Sequence, residues 1–359
     1  MQPAFKLSIV VATLALTGLA QIGPVQAGEP RIGFAAPLSG PTALLGEQMR
    51  AGAILAAENA GAELVVEDDE CSAEGGAKAA TALVQKNITI ATGFLCSDAI
   101  EAALPILKDA GVPVITPGVR ANGLTDQRSR TLWPIWRTGP RADAEAEAIA
   151  KILPRRWRSE YFAIVDDGTL HGRELAEQLR LATELAGLRP VLVDTFRPQS
   201  QNQIGLVGRL ARAGVSHAFV GGERDDIAIM ARDAASLDHD LVFAGGEALH
   251  SAGEIDLVQG TLMIGLPEWG HDLDETIREE FTQAGIIPEG YVLPSYASVQ
   301  IAQQALKNAK AEKTSLTDSL NSGAFDTIIG AVSFDDKGDL AQNPFILQRY
   351  DGERFVPVE

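Results

Sequence analysis

Arg31-Ile32-Gly33-Phe34-Ala35-Ala36-Pro37-Leu38-Ser39-Gly40-Pro41 is the stretch whose reading decides the fold. Arg31–Ala36 reads as a β-strand, and Pro37–Pro41 as the Gly/Pro turn that carries it toward a helix. That helix spans Ala43–Ala60. It sets Leu45, Met49, Ala53 and Leu55 or Ala56 on one face, and Gly61 stops it. The grammar then repeats: strand Glu63–Glu67, helix Glu74–Lys86, strand Thr89–Phe94, helix Asp98–Ala110, strand Val112–Thr116 into Pro117-Gly118. Successive βαβ units predict a parallel sheet with helices on both faces.

Upstream of this strand lies an export signal. Met1–Ala27 carries one basic residue, Lys6, then an apolar run over Leu7–Ala20, then the small residues of Val25-Gln26-Ala27. The run is shorter than the roughly 20 residues a bilayer span needs, so cleavage is expected and an uncleaved anchor is the alternative. No cysteine follows the run, so there is no site for a lipid anchor. The mature chain is expected to begin near Gly28, outside the cytoplasm.

Downstream, the alternation restarts. Tyr161–Val165, Pro190–Thr195, Ala218–Val220 and Leu241–Ala244 read as strands, with helices at Gly172–Ala186, Gln203–Ala213 and Asp226–Ser236. A second sheet domain is implied. Leu132–Pro140, with Trp133 and Trp136, reads as the strand that leaves the first and enters the second. Leu262–Leu266, helices Asp274–Ala284 and Ser295–Ala309, and a hairpin-like closing segment complete the chain. Without a floppy linker between the lobes, a hinge is expected.

The 359 residues fit two domains, and an apolar content of 46% supports real cores. A formal charge of −18 argues against nucleic acid and against anionic membrane surfaces. Two cysteines, Cys71 and Cys96, suggest one disulfide in an exported chain; two buried free thiols are the other reading. The histidines at 171, 217, 239, 250 and 271 pair with no other His or Cys at metal-site spacing, so no metal is expected. Asp68-Asp69-Glu70 lacks the spaced ligands of a calcium loop and reads as a solvated strand end. There is no G-x-G-x-x-G after the first strand, no Walker A loop and no nucleophile elbow. No cofactor and no catalysis are therefore expected. Turns at Pro37–Pro41, Cys96–Asp98, Pro117–Arg120 and Gly245–Ala248 follow predicted strands, where open α/β sheets bind ligands.

Several segments, in order, resemble the type I periplasmic solute-binding proteins of ABC importers, in the branched-chain amino acid (Leu/Ile/Val) group. They are Ile32–Gly46, Asp68-Asp69-Glu70-Cys71, Gly93-Phe94-Leu95-Cys96-Ser97, Val114-Ile115-Thr116-Pro117, Ala163-Ile164-Val165-Asp166-Asp167 with Gly172, and Phe334-Asp335-Asp336-Lys337-Gly338-Asp339. The resemblance implies two doubly wound parallel-sheet α/β lobes joined by a three-segment hinge. Crossings are expected near Arg137, Pro267 and Ala331. Lobe one is then 28–137 plus 268–331, and lobe two 138–267 plus 332–359. It also implies a Cys71–Cys96 disulfide.

The same resemblance gives Ser97 a role on a ligand carboxylate, Glu247 one on an ammonium group, and Gly118 a backbone contact. Arg120 stands where leucine-binding members carry a small hydroxyl residue. Leu45, His171 and Glu223 stand where tyrosines commonly pack around the ligand. Arg120, His171 and Glu223 thus join the expected ligand-binding set, the alternatives being that Arg120 pairs with Glu223 or points to solvent and that His171 is a loop residue at a helix start; the ligand is expected to be a more polar amino acid or another small carboxylate. The implied function is ligand capture in the periplasm for a permease in the inner membrane. A sensor of the same fold and an exported α/β enzyme are the alternatives.

Overall fold

The computed structural model describes residues 30–358. The expected signal peptide, 1–27, lies outside them. Five strands form the first sheet: β1 (Ile32–Ala36), β2 (Leu64–Asp68), β3 (Ile90–Gly93), β4 (Val114–Thr116) and β5 (Ile135–Arg137). Their order is β2-β1-β3-β4-β5, and all are parallel. The chain steps to one side of β1 for β2 and to the other for β3. This reversal opens a crevice at the carboxyl ends of the strands.

Helices cover both faces. α1 (Ala43–Asn59) buries Met49, Ala53 and Ala56 with Phe34 and Ile90. α2 (Ala73–Gln85) and α3 (Ser97–Asp109) bury Leu83, Ile100 and Leu104 on the opposite face. Ser72 caps α2, its Oγ accepting from the Gly75 amide at 3.0 Å. Two short helices, α4 (Gly123–Asp126) and α5 (Arg128–Thr131), precede β5.

The second sheet follows α6 (Ala144–Arg156). Its strands are β6 (Phe162–Asp166), β7 (Leu192–Thr195), β8 (His217–Gly221), β9 (Val242–Gly245) and β10 (Leu262–Gly265). α7 (Leu170–Leu185), α8 (Ile204–Arg212) and α9 (Arg224–Ser236) connect them. α6 and α7 cover one face through Ile149, Leu153, Leu175 and Leu179. α8 and α9 cover the other through Leu206, Leu210, Ile227 and Met230.

α10 (Glu275–Gln283) and α11 (Val292–Glu312) come after β10, yet α11 packs back on α1 against the first sheet. α12 (Leu316–Ser322) and a hairpin of β11 (Ala324–Thr327) and β12 (Gly330–Ser333) follow. The last strands, β13 (Ile346–Tyr350) and β14 (Phe355–Pro357), join the second sheet antiparallel beside β10, so its order is β14-β13-β10-β9-β8-β6-β7. The closing segment is thus two hairpins, β11–β12 as a two-stranded sheet of its own and β13–β14 on the second sheet. α6 is a full helix in a stretch, 141–160, to which the sequence pattern assigns no element.

Cys71 and Cys96 form a disulfide, with Cα atoms 5.2 Å apart. They follow β2 and β3, the two neighbours of β1, so the bridge ties loops across the end of the central strand.

The Phe334–Asp339 segment is explained by one buried ion pair. Asp335 Oδ1 accepts from the Lys337 and Asp339 amides, both at 2.9 Å, which turns the chain. Asp339 is then delivered to Arg137 at the end of β5. Arg137 is 0% and Asp339 2% exposed. Arg137 Nε donates to Asp339 Oδ1 at 2.8 Å, and Arg141 Nη1 and Thr125 Oγ1 donate to Oδ2, each at 2.9 Å. The segment entering the second sheet is thereby fastened to the strand leaving the first.

Candidate functional site

Loops from the carboxyl ends of both sheets meet at one ion pair. Arg120 lies just past β4, and Glu247 just past β9. Arg120 Nη1 donates to Glu247 Oε2 at 2.7 Å, and Nη2 donates to Oε1 at 3.0 Å. This is the bidentate fork that arginine forms and lysine cannot. Burial works against the Arg120 charge, but the Glu247 carboxylate outweighs it and holds the guanidinium pKa above its ordinary value.

Glu145 stands behind Glu247. It lies in the first turn of α6, is nearly buried, and accepts from the Glu247 amide at 2.6 Å. Its other oxygen is 3.6 Å from His171 Nε2. Burial pushes the Glu145 carboxyl pKa up, against the pull of the Glu247 amide and of His171. The approach needs Gly246: a Cβ there would sit 2.0 Å from Glu145 Oε1. Gly118 has a similar reason. A Cβ at that position would lie 2.7 Å from the Phe94 carbonyl oxygen, so glycine lets the β4 turn pack against the β3 turn.

Arg120 and Glu247 line a cavity of about 800 Å³. This is in the range of roughly 300–1,000 Å³ typical of small-molecule sites. Leu266, Trp269, Tyr291 and Leu293 supply apolar wall, and Glu268 and Glu289 supply carboxylates. The arrangement can receive a compact ligand with one anionic and one cationic group and can pack its remainder against aromatic and aliphatic surface.

Ser97, Gly118, His171 and Glu223 do not line this cavity. Ser97 opens α3 and is partly buried. Gly118 is buried beside Pro117. His171 is exposed and faces Glu145. Glu223 is exposed and precedes α9 without a side-chain cap bond. Glu145, Trp269 and Tyr291 belong to the site but stand in no motif that marks them in the sequence. Trp269, two residues beyond the expected crossing at Pro267, was the available signal. Glu145 gave none until α6 was known to be a helix. Among the described residues no group of His, Cys, Asp and Glu is arranged to hold a metal ion, and no helix is long and apolar enough to cross a membrane.

The sequence profile of periplasmic binding proteins matches residues 29–354. The chain belongs to the periplasmic binding protein family. A leucine-, isoleucine-, valine-, threonine- and alanine-binding protein of Pseudomonas aeruginosa is 27% identical to it across 96% of each chain. Among solved structures of periplasmic binding protein shape, a candidate branched-chain amino acid ABC transporter from Rhodospirillum rubrum superposes with a TM-score of 0.76 at 19% identity. The match covers 92% of this chain and 100% of that one. A solute-binding protein of an ABC transporter from R. palustris, in complex with benzoate, gives 0.60 at 17% identity over 92% and 96% of the two chains. At these identities the structures speak for the two-lobed fold alone.

Proposed function

We propose that the chain is the substrate-binding component of an ABC importer and captures an amino acid, or a related small carboxylate, between its lobes. The observation that carries this is the Arg120–Glu247 pair inside the cavity. A zwitterion can replace each partner of that pair. Its carboxylate takes Glu247's place on Arg120, and its ammonium group takes Arg120's place on Glu247. No charge is then left buried and alone, the outcome that is most costly. A neutral ligand could not open the pair without stranding both charges. The relatives named for amino acids and the benzoate-bound neighbour support the same ligand class.

Ser97, Gly118, His171 and Glu223 complete the proposed site as the cleft changes shape around its ligand. The proposed lobes are 28–137 plus 268–331 and 138–267 plus 332–359. The return of α11 to the first sheet and of β13 to the second supports this division. Cleavage after Ala27 would release the chain into the periplasm, where the closed form would meet an inner-membrane permease. The reading requires no catalysis and no cofactor.

A thermal-shift screen of amino acids and small carboxylates tests the proposal. A ligand at 100 times its Kd adds about 2.7 kcal/mol of stability, readily seen as a shift in Tm. At least one amino acid or small carboxylate is expected to give such a shift. Silence across both classes would refute the proposal.

A further inference from the structure

We infer that the ligand is a cationic amino acid, and that the cleft holds a second subsite for its basic side chain between Trp269, Tyr291, Glu268 and Glu289. The inference rests on the proposed function and names its substrate class.

The charge on the cavity wall carries it. Arg120 and Glu247 cancel one another. Glu268 and Glu289 remain, and among the described residues no lysine or second arginine lines the cavity. Glu268 sits between two imidazoles, 2.7 Å from His271 Nε2 and 3.5 Å from His250 Nε2. Burial pulls the His250 pKa down, so this ring offers no standing positive charge. Its Nε2 is buried and has no hydrogen-bond partner among the described residues. In either protonation state of His271 the wall stays net acidic.

The shape agrees with the charge. Trp269 and Tyr291 are partly buried, packed on the core of the first lobe, and line the same cavity. Aromatic faces next to carboxylates suit a guanidinium or ammonium group, which gains from both. An aliphatic side chain would drive water from Glu268 and Glu289 without replacing its hydrogen bonds. An acidic one would be repelled. A cavity of about 800 Å³ has room for a long side chain beyond the clamp.

Calorimetry with L-arginine, L-citrulline and L-leucine decides the matter. Arginine and citrulline nearly share a shape and differ in charge. Arginine is expected to bind about tenfold tighter than citrulline or more at low ionic strength, and added salt should narrow the ratio. Glu268→Gln with Glu289→Gln should bring the ratio toward one. Citrulline or leucine binding as tightly as arginine, or a ratio untouched in the double variant, would overturn the subsite and leave the amino-acid reading standing. Binding of no amino acid at all, with a small carboxylate bound instead, would overturn the inference. Binding of neither class would overturn the proposed function with it.

Discussion

Replacing Asp339 by alanine tests the hinge most severely. Arg137 has no exposed surface, and its guanidinium is held by Asp339, by Thr125 and by the Ala121 carbonyl. Removing Asp339 takes from a buried cation its one carboxylate partner among the described residues and strips partners from Thr125 and Arg141. Breaking one side of a buried pair costs about 3–5 kcal/mol, because the remaining charge has no solvent. At about 2 °C per kcal/mol for a chain of this size, Tm should fall by about 6–10 °C. The loss should persist in high salt, since buried pairs are weakly screened. Asp339→Asn keeps the shape and one acceptor oxygen and should lose only part of this. Differential scanning calorimetry of the three mature, oxidised proteins measures it. An Asp339→Ala protein within about 1 °C of wild type would refute the argument that this pair fastens the crossing segments.

Other consequences follow from single sites. Thiol labelling of the unfolded, non-reduced protein should find no free cysteine, and Cys71→Ser with Cys96→Ser should lose about 3 kcal/mol of stability in urea unfolding. Asp69 is fully buried, its Oδ2 has no hydrogen-bond partner among the described residues, and burial raises its pKa from 3.8 to about 6. Its stabilising contribution is complete below the unfolded value and is lost as pH rises through about 6. Between pH 4 and pH 7 the Asp69→Asn protein should therefore gain on wild type by up to about 3 kcal/mol in Tm-derived stability; a constant difference would contradict the burial argument. A saturating ligand should also shrink the radius of gyration in small-angle scattering, as the lobes close on contacts that only the closed state makes. An unchanged radius would mean a rigid molecule.

The alternation of strands and helices was legible because each element carries its own period and its own stop. Gly61 and Gly111 end helices where the sequence places them, and Ile32–Ala36 is buried at every position, as a central parallel strand must be. α6 was not legible. Its first turns bury only small or polar residues, Ala144, Glu145, Ala146 and Ala148, which give little hydrophobic contrast before Ile149 and Leu153, and Pro154 lies near its end. α11 begins three residues earlier than read because Pro294 sits within its first turn, where a missing N–H costs nothing. Arg120 and Glu247 were each named from the sequence. Their contact was not legible, since 127 residues separate them and only the packing of two lobes brings them together. Glu145 was lost along with its helix. The antiparallel β13 and β14 gave only a generic hairpin signal, which could not say which sheet they would join.

The central claim is that Arg120 and Glu247 form one clamp for a ligand bearing both charges. Calorimetry on wild type, Arg120→Ala and Glu247→Ala, using the best amino acid from the screen and its analogue without the amine, tests this most directly. The two side chains are about a third and a quarter exposed, so the lower part of the range for a truncated charge pair applies. Each variant should lose about 2 kcal/mol of amino-acid binding, roughly thirtyfold in Kd. Glu247→Ala should weaken the amine-free analogue far less than the amino acid. Wild-type affinity in the Arg120→Ala protein, or equal losses for both ligands in Glu247→Ala, would contradict the account.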